Sequence, residues 1–301
     1  MSVPRGPRAS FYEIEFPLGG LDPDAVDAAL VRIGAASVTL VDRGDDAVLE
    51  PKPGEIRLWS DTWVRALFPS ALDPLQQLDR LAAGLGWELA ASARLRAVED
   101  CDWERAWLTD WKSLRFGRRL WVCPTAAAAP DDPDAVVVRL DPGLAFGTGT
   151  HPTTALCLQI LDSLPLAGRS VIDYGCGSGI LGIAALKLGA AHVTAVDLDP
   201  QALLATRSNA VRNGVSAAVD VQGVPARLRP ASCVVANILA GPLVELAPVL
   251  TDACAAGGDL LLSGLLKTQA YEVKAAYASG FGMVHVIGRD DWCCIHARKG
   301  S

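Results

Sequence analysis

No two of the eight cysteines are spaced C-x-x-C, and the four histidines (His151, His192, His285 and His296) are scattered along a chain of 301 residues. Zinc-ribbon spacing is therefore absent, and the dispersed histidines argue against a metal site. No internal repeat recurs, which argues against a solenoid or propeller. The opening MSVPRGPRASFYEIEF lacks the apolar core of a secretion signal. The longest apolar stretch, residues 234–250, is broken by Asn237, Gly241, Pro242, Glu245 and Pro248. A membrane span needs about 20 mostly apolar residues, so none is expected. Without an export signal the thiols are expected to be reduced and the protein cytoplasmic, and most cysteines read as small buried hydrophobes. The net charge of −7 suits a basic partner better than general nucleic-acid binding.

What is present suffices for a large core, because half of the residues are hydrophobic and a fifth are charged. The first hundred residues alternate short strands and helices. Residues 11–16, FYEIEF, alternate like a strand. Asp22 caps a helix through Val26, Ala29, Leu30 and Ile33, which Gly34 ends. Strands are expected over 37–42 and 62–68, with a short extended piece over 55–59. Asp73 caps a second helix that ends near Gly84, and residues 87–96 close the set. The order β-α-β-β-α-β is the split pattern of a small ferredoxin-like α+β domain. It holds no catalytic cluster and reads as a recognition domain. Residues 99–117 read as a connecting helix with Trp103, Trp107 and Trp111 on one face. That stripe could pack the linker onto a domain or face a substrate.

From Leu120 onward, strands alternate with helices, the texture of a doubly wound sheet. Strands are expected over 170–173, 192–197, 217–222, 232–237 and 259–263. Helices are expected over 179–188 and 200–213, and starting from Pro242 and Thr268. A final antiparallel hairpin spans 283–288 and 292–297, which makes a seven-stranded sheet. The expected organisation is a small domain over 1–98, a linker helix over 99–118 and a Rossmann-like domain over 119–301. The alanine-rich run 126–129 and the PDDPD after it read as a surface loop.

Chemistry concentrates in three places. The first is the strand–turn–helix VIDYGCGSGILG, where Gly175, Gly177 and Gly179 allow a tight turn and close ligand approach in front of a helix N-terminus. Both a dinucleotide and S-adenosylmethionine use such a loop. Gly177, Gly179 and Gly182 satisfy G-x-G-x-x-G, while Asp173, Gly175, Gly177 and Gly179 satisfy D-x-G-x-G-x-G. The loop alone does not decide between them. The second place is Asp197, which ends the next strand and can accept the hydrogens of both ribose hydroxyls. The third is Asn237, a polar amide at the end of an otherwise apolar strand, CVVANIL. Its oxygen could accept a hydrogen bond from a substrate amine and aim the lone pair, or simply satisfy a turn.

Together, DPGLAFGTGTHPTT, VIDYGCGSGILGIAALKLGA, VDLDP and VVANILAGPL resemble the PrmA-type methyltransferases, which modify large-subunit ribosomal protein eleven. The resemblance extends to PGEIRLWSDT, DWERAW, RFGRRLWVCP and DDWCCIHARK, nearly the whole chain, with FGTGTHPTT its most specific part. It implies a class I methyltransferase domain that binds S-adenosyl-L-methionine, and a small domain that recognises the ribosomal protein. By position, Thr154, Gly175, Asp197 and Asn237 match the family's cofactor contacts, with Asp173 and Gly177 in the same loop. The implied acceptors are lysine ε-amines and the N-terminal α-amine of a free rather than ribosome-bound substrate, methylated repeatedly by a monomeric enzyme. Phe146 could pack on the adenine, sit near the sulfonium or belong to the core. His151, beside the motif, is the one nearby titratable side chain, and it could take a proton or hold the loop.

Overall fold

The computed structural model describes residues 11–44, 58–98, 112–141, 151–224 and 228–300. The chain divides into two compact units, 1–106 and 107–301.

In the first unit, strand β1 (Phe11–Pro17) lies between β3 (Thr62–Pro69) and β4 (Arg94–Val98), and β2 (Ser37–Asp42) flanks β3. All three pairings are antiparallel. This is the order the split β-α-β pattern requires. The period-two alternation of β1 turns Tyr12, Ile14 and Phe16 into a core with Val64, Ala66, Phe68, Val26, Leu30 and Leu81. Asp22 and Asp73 cap the helices Pro23–Arg32 and Pro74–Leu85, each accepting from a backbone N–H two residues on. The other sheet face carries Glu13 and Glu15, which are ion-paired with Arg96, Arg65 and Arg43. Residues 87–96 do not form one strand. Trp87–Ser92 is a helix, and the strand begins at Arg94. The run Glu88-Leu-Ala-Ala is rich in helix formers, and they prevail over the tryptophan's preference for a strand. Most of the extended piece expected over 55–59 lies outside the described residues.

The expected linker helix, with Trp103, Trp107 and Trp111, also lies largely outside the described residues. Its described end is not helical. Leu114–Phe116 (β5) pairs antiparallel with Leu120–Cys123 (β6), which pairs parallel with Val136–Arg139 (β7). The hairpin turns at Gly117, whose φ of 71° suits glycine. A Cβ there would stand 2.5 Å from the Asp162 carboxylate, which accepts from the N–H groups of Arg118 and Arg119.

The second unit is built on a seven-stranded sheet. In chain order its strands are β8 (Ser170–Tyr174), β9 (His192–Asp197), β10 (Val219–Gly223), β11 (Ala231–Asn237), β12 (Cys254–Leu266), β13 (Phe281–Arg289) and β14 (Trp292–Lys299). They lie in the order β10-β9-β8-β11-β12-β14-β13. The pairings from β10 to β12 are parallel, and β14 runs antiparallel to both of its neighbours. Each face buries one core. Val171, Val235 and Leu261 join the helices Pro152–Ser163 and Ile180–Lys187, while Ile172, Val234 and Leu262 join Ala240–Glu245, Ala247–Ala253 and Ala270–Tyr277. Seven described cysteines are free and buried. Among the described residues, no helix is long and apolar enough to cross a membrane.

Candidate active site

Three parallel strands end together at one edge of this sheet. Tyr174 pairs with Val196 on one side and Ala236 on the other. One residue further along each strand stand Gly175, Asp197 and Asn237, with Ser263 opposite Asn237 on β12. The ends of β8 and β11 open a crevice at the switch point of strand order, where ligands of such sheets bind.

The glycine loop is held from several sides. Gly175, Gly177 and Gly179 have φ values of 73°, 53° and 78°, so each adopts a left-handed conformation. The N–H groups of Gly175 and Cys176 donate to the Val196 carbonyl at 2.7 and 3.0 Å. Thr206 Oγ1 donates to the Gly177 carbonyl at 3.0 Å, and Asn209 Nδ2 to that of Ser178 at 2.8 Å. Both side chains lie three residues apart on one face of the helix Pro200–Arg212. That three-residue spacing of Thr206 and Asn209 is the sequence signal for these two loop supports.

Asp197 ends β9 with its carboxylate fixed by two backbone donors, Gly177 N–H at 2.9 Å to Oδ2 and Asp199 N–H at 3.0 Å to Oδ1. Each oxygen keeps acceptor capacity for a hydroxyl. Asp173 sits deeper, 1% exposed. Its Oδ2 accepts from Gly182 N–H at 2.8 Å and so caps the loop's own helix; its Oδ1 is buried without a partner. Burial raises this carboxyl from 3.8 to about 7, opposed by the Gly182 hydrogen bond and reinforced by the Asp197 charge. The unfolded chain thus ionises at lower pH than the folded one. Stability contributed by this site should fall as pH rises from about 4 towards 7 and stay low above that. Urea unfolding across this range should show a slope that Asp173→Asn flattens. The same slope in both proteins would refute the assignment.

Asn237 Nδ2 donates to Thr154 Oγ1 at 3.2 Å, across 83 residues of sequence. Thr154 is the third residue of the helix Pro152–Ser163, and both threonines in its first turn are buried. Ser263, itself fully buried, shares its one O–H between the carbonyls of Thr153 at 3.2 Å and Cys293 at 3.1 Å, linking that helix to β12 and β14. Sequence reasoning singled out neither this helix nor Ser263. His151 is the helix N-cap, with Nδ1 accepting from Thr153 N–H at 3.4 Å and standing 2.7 Å from Thr153 Oγ1. Its ring also meets Trp292 edge-on at 4.8 Å. In the cap Nδ1 serves as an acceptor, which gives His151 a structural role at the start of this helix. Burial holds the imidazole below its ordinary pKa.

The structure therefore brings together Thr154, Asp173, Gly175, Gly177, Asp197 and Asn237. Phe146 lies outside the described residues, as does most of the motif that contains it. No group of three His, Cys, Asp or Glu side chains among the described residues could hold a metal.

The strand order, the glycine loop and the acidic end of β9 define a class I, Rossmann-like methyltransferase domain. The sequence profile of the family described as ribosomal protein L11 methyltransferase (PrmA) matches residues 10–300. A ribosomal protein L11 methyltransferase of Sodalis glossinidius is 51% identical over 288 residues, 95% of this chain and 98% of its own. One from Escherichia coli is 49% identical over 298 residues, 96% of this chain and 99% of its own. The crystal structure of the ribosomal protein L11 methylase from Lactobacillus delbrueckii subsp. bulgaricus shares 31% identity at a TM-score of 0.58. It covers 64% of this chain and 100% of that chain. The chain belongs to the ribosomal protein L11 methyltransferase family.

Proposed function

We propose that the protein transfers methyl groups from S-adenosyl-L-methionine to lysine ε-amines and the N-terminal α-amine of ribosomal protein L11. It would act in the cytoplasm, as a monomer, on the free ribosomal protein, with residues 1–98 recognising the substrate. The observation that carries the reading is the Asn237–Thr154 hydrogen bond at the crevice, 3.2 Å long. It engages the amide nitrogen and leaves Oδ1 to accept from an amine.

The residues fit the cofactor. A Cβ on Gly175 would stand 2.3 Å from Ile238 Cγ2, so this cradle tolerates only glycine. Gly175 and Gly177 would present bare backbone to the methionine part, and Asp197, its carboxylate fixed by two backbone N–H groups, would accept from the ribose hydroxyls. Asp173 acts behind them by holding the loop. Held by these residues, S-adenosylmethionine would supply a methyl activated on a sulfonium: a neutral amine would bond to that methyl in line as its bond to sulfur breaks, and the neutral thioether would leave with the electron pair.

The protein's share is positioning and desolvation. A free lysine has a pKa near 10.4, so neutralising it at pH 7.4 costs about 4 kcal/mol. An apolar pocket lowers that cost by disfavouring the charged form. Asn237 Oδ1 accepts one amine hydrogen and directs the lone pair at the methyl. His151 has its Nδ1 engaged in the helix cap, so the proton leaves to solvent.

Asp197→Ala should weaken cofactor binding about 10- to 100-fold, because two hydrogen bonds to a charged acceptor are lost. Calorimetric titration with S-adenosylmethionine measures this, and unchanged affinity would remove Asp197 from the site. The reaction itself is tested with methyl-labelled cofactor and unmodified ribosomal proteins, read by mass spectrometry. Label on amines of L11 is expected. Intact cofactor binding with label elsewhere or nowhere would move the acceptor to another basic protein or a small amine.

A further inference from the structure

At the opposite edge of the large sheet, where β8 and β11 begin, a cavity of about 150 Å³ is lined by Arg169, Asp259, His285, His296 and Arg298, with Leu164, Pro165 and Ala297 as its apolar part. Four residues of β12 separate Asp259 from Ser263, about 13 Å at a strand's rise, so this cavity is distinct from the crevice that holds Asn237.

Its chemistry is lopsided. Asp259 is the one carboxylate in the lining, and its charge is already committed. Oδ2 accepts from an Arg169 guanidinium nitrogen at 2.7 Å, and Oδ1 lies 2.9 Å from His296 Nε2. Burial pushes this carboxyl up in pKa, but the hydrogen bonds from His296 and Arg169 outweigh burial and hold it below the ordinary carboxylate range, so it is ionised. Arg169 also donates to the Ser232 carbonyl.

The donors left over all come from the hairpin β13–β14. His285 pairs directly with His296 across the two strands, and their rings stand 6.5 Å apart. Arg298 follows His296 by two residues and so projects from the same face. One guanidinium and two imidazoles thus stand side by side on one strip of sheet, with His296 already turned to Asp259. His285 and Arg298 are exposed, and the lining holds no second carboxylate to pair with the Arg298 guanidinium. A void of this size suits a single small group, too small for a nucleoside or a drug-sized ligand. A guanidinium beside two imidazoles is a donor set for a tetrahedral oxyanion, because Arg bonds phosphate through paired N–H donors and an imidazole adds charge when protonated.

We propose that this cavity is a binding site for a phosphate group, held by Arg298 and His285 with His296 and Arg169 behind them. The phosphate could be inorganic or belong to a polynucleotide backbone, and the recognising chemistry is the same.

The test uses the full-length protein at pH 6.5 and constant ionic strength. Inorganic phosphate is titrated calorimetrically against the wild type, Arg298→Gln and His285→Gln. Both substitutions are at exposed positions remote from the crevice, so S-adenosylmethionine affinity serves as the control for folding and should not move. Saturable phosphate binding that weakens about tenfold or more in Arg298→Gln is expected, given the strength of one charge-assisted pair. Absence of saturable binding, or equal binding in all three proteins, overturns the site. A competing short RNA separates the two sources. Displacement of phosphate by RNA, lost in the same variants, assigns the site to a polynucleotide backbone. Phosphate binding that RNA leaves untouched assigns it to the free anion.

Discussion

Replacing Asn237 by alanine should reduce methyl transfer about 100-fold or more while leaving cofactor affinity within a few-fold of the wild type. A misplaced nucleophile typically costs that much even when nothing else changes. The amide is fixed at both levels. Its backbone is in register with Ser263 on β12, and its nitrogen is tied to Thr154, whose helix Ser263 also fastens. Truncation removes the oxygen that orients the amine and frees Thr154 Oγ1, but leaves the glycine loop and Asp197 alone. The decisive comparison is single-turnover transfer rate against separately measured cofactor affinity. A variant that binds weakly but transfers normally once saturated would make Asn237 a binding residue only. Normal turnover with normal binding would remove it from the mechanism. A further check is Thr154→Val, which removes the acceptor of the amide N–H and should lower the same rate less severely.

Gly175→Ala should act on stability and activity at once. At φ 73° an added Cβ carries the left-handed penalty, about 1–2 kcal/mol. It would also press on Ile238 Cγ2 at 2.3 Å. Ile238 has little freedom to retreat. It is β-branched, its N–H donates to the Ser263 carbonyl at 3.1 Å, and its backbone is already so close to Gly264 that a Cβ there would stand 2.4 Å from its oxygen. Overpacking of that kind costs about 1–3 kcal/mol more. The clash is transmitted to the adjacent Asn237, so transfer should be lost even where the variant remains folded. Urea midpoints and cofactor titration together read this out. A variant as stable and as tight-binding as the parent would show that the loop relaxes freely.

The two motifs that meet here were legible for different reasons. Glycines at 175, 177 and 179 mark a turn because a left-handed backbone has few other tenants. Asn237 stood out because an amide interrupts an apolar strand. The sheet's parallel strands were legible as short apolar runs between helical segments. The helix Pro152–Ser163 was not. Nine of its twelve residues are buried, so it has no polar face to give a period, and its first turn coincides with the end of the HPTT motif. Strand β12 runs from Cys254, earlier than expected, because Gly257 and Gly258 look like a loop. The start of β5 was hidden in an apparent helix, where tryptophans spaced by four set a period that the hairpin after them does not continue. Partnerships such as Asn237 with Thr154 depend on which elements the fold stacks, and no local spacing records them.

The buried thiols bear on how motion in this protein could be watched. Burial drives the Cys176 thiol up to about 12 and Cys254 to about 11 and raises Cys293 as well, while a hydrogen bond with Cys157, reinforced by burial, raises Cys294. Maleimide and iodoacetamide dyes attack the thiolate, a form these sulfurs scarcely populate at neutral pH. With Cys101 replaced by serine, the remaining seven native cysteines are all among the buried ones. A reporter cysteine placed on each unit would then carry essentially all the fluorophore. Donor–acceptor distances could follow the two units through catalysis without stripping the core of the sulfurs that fill it.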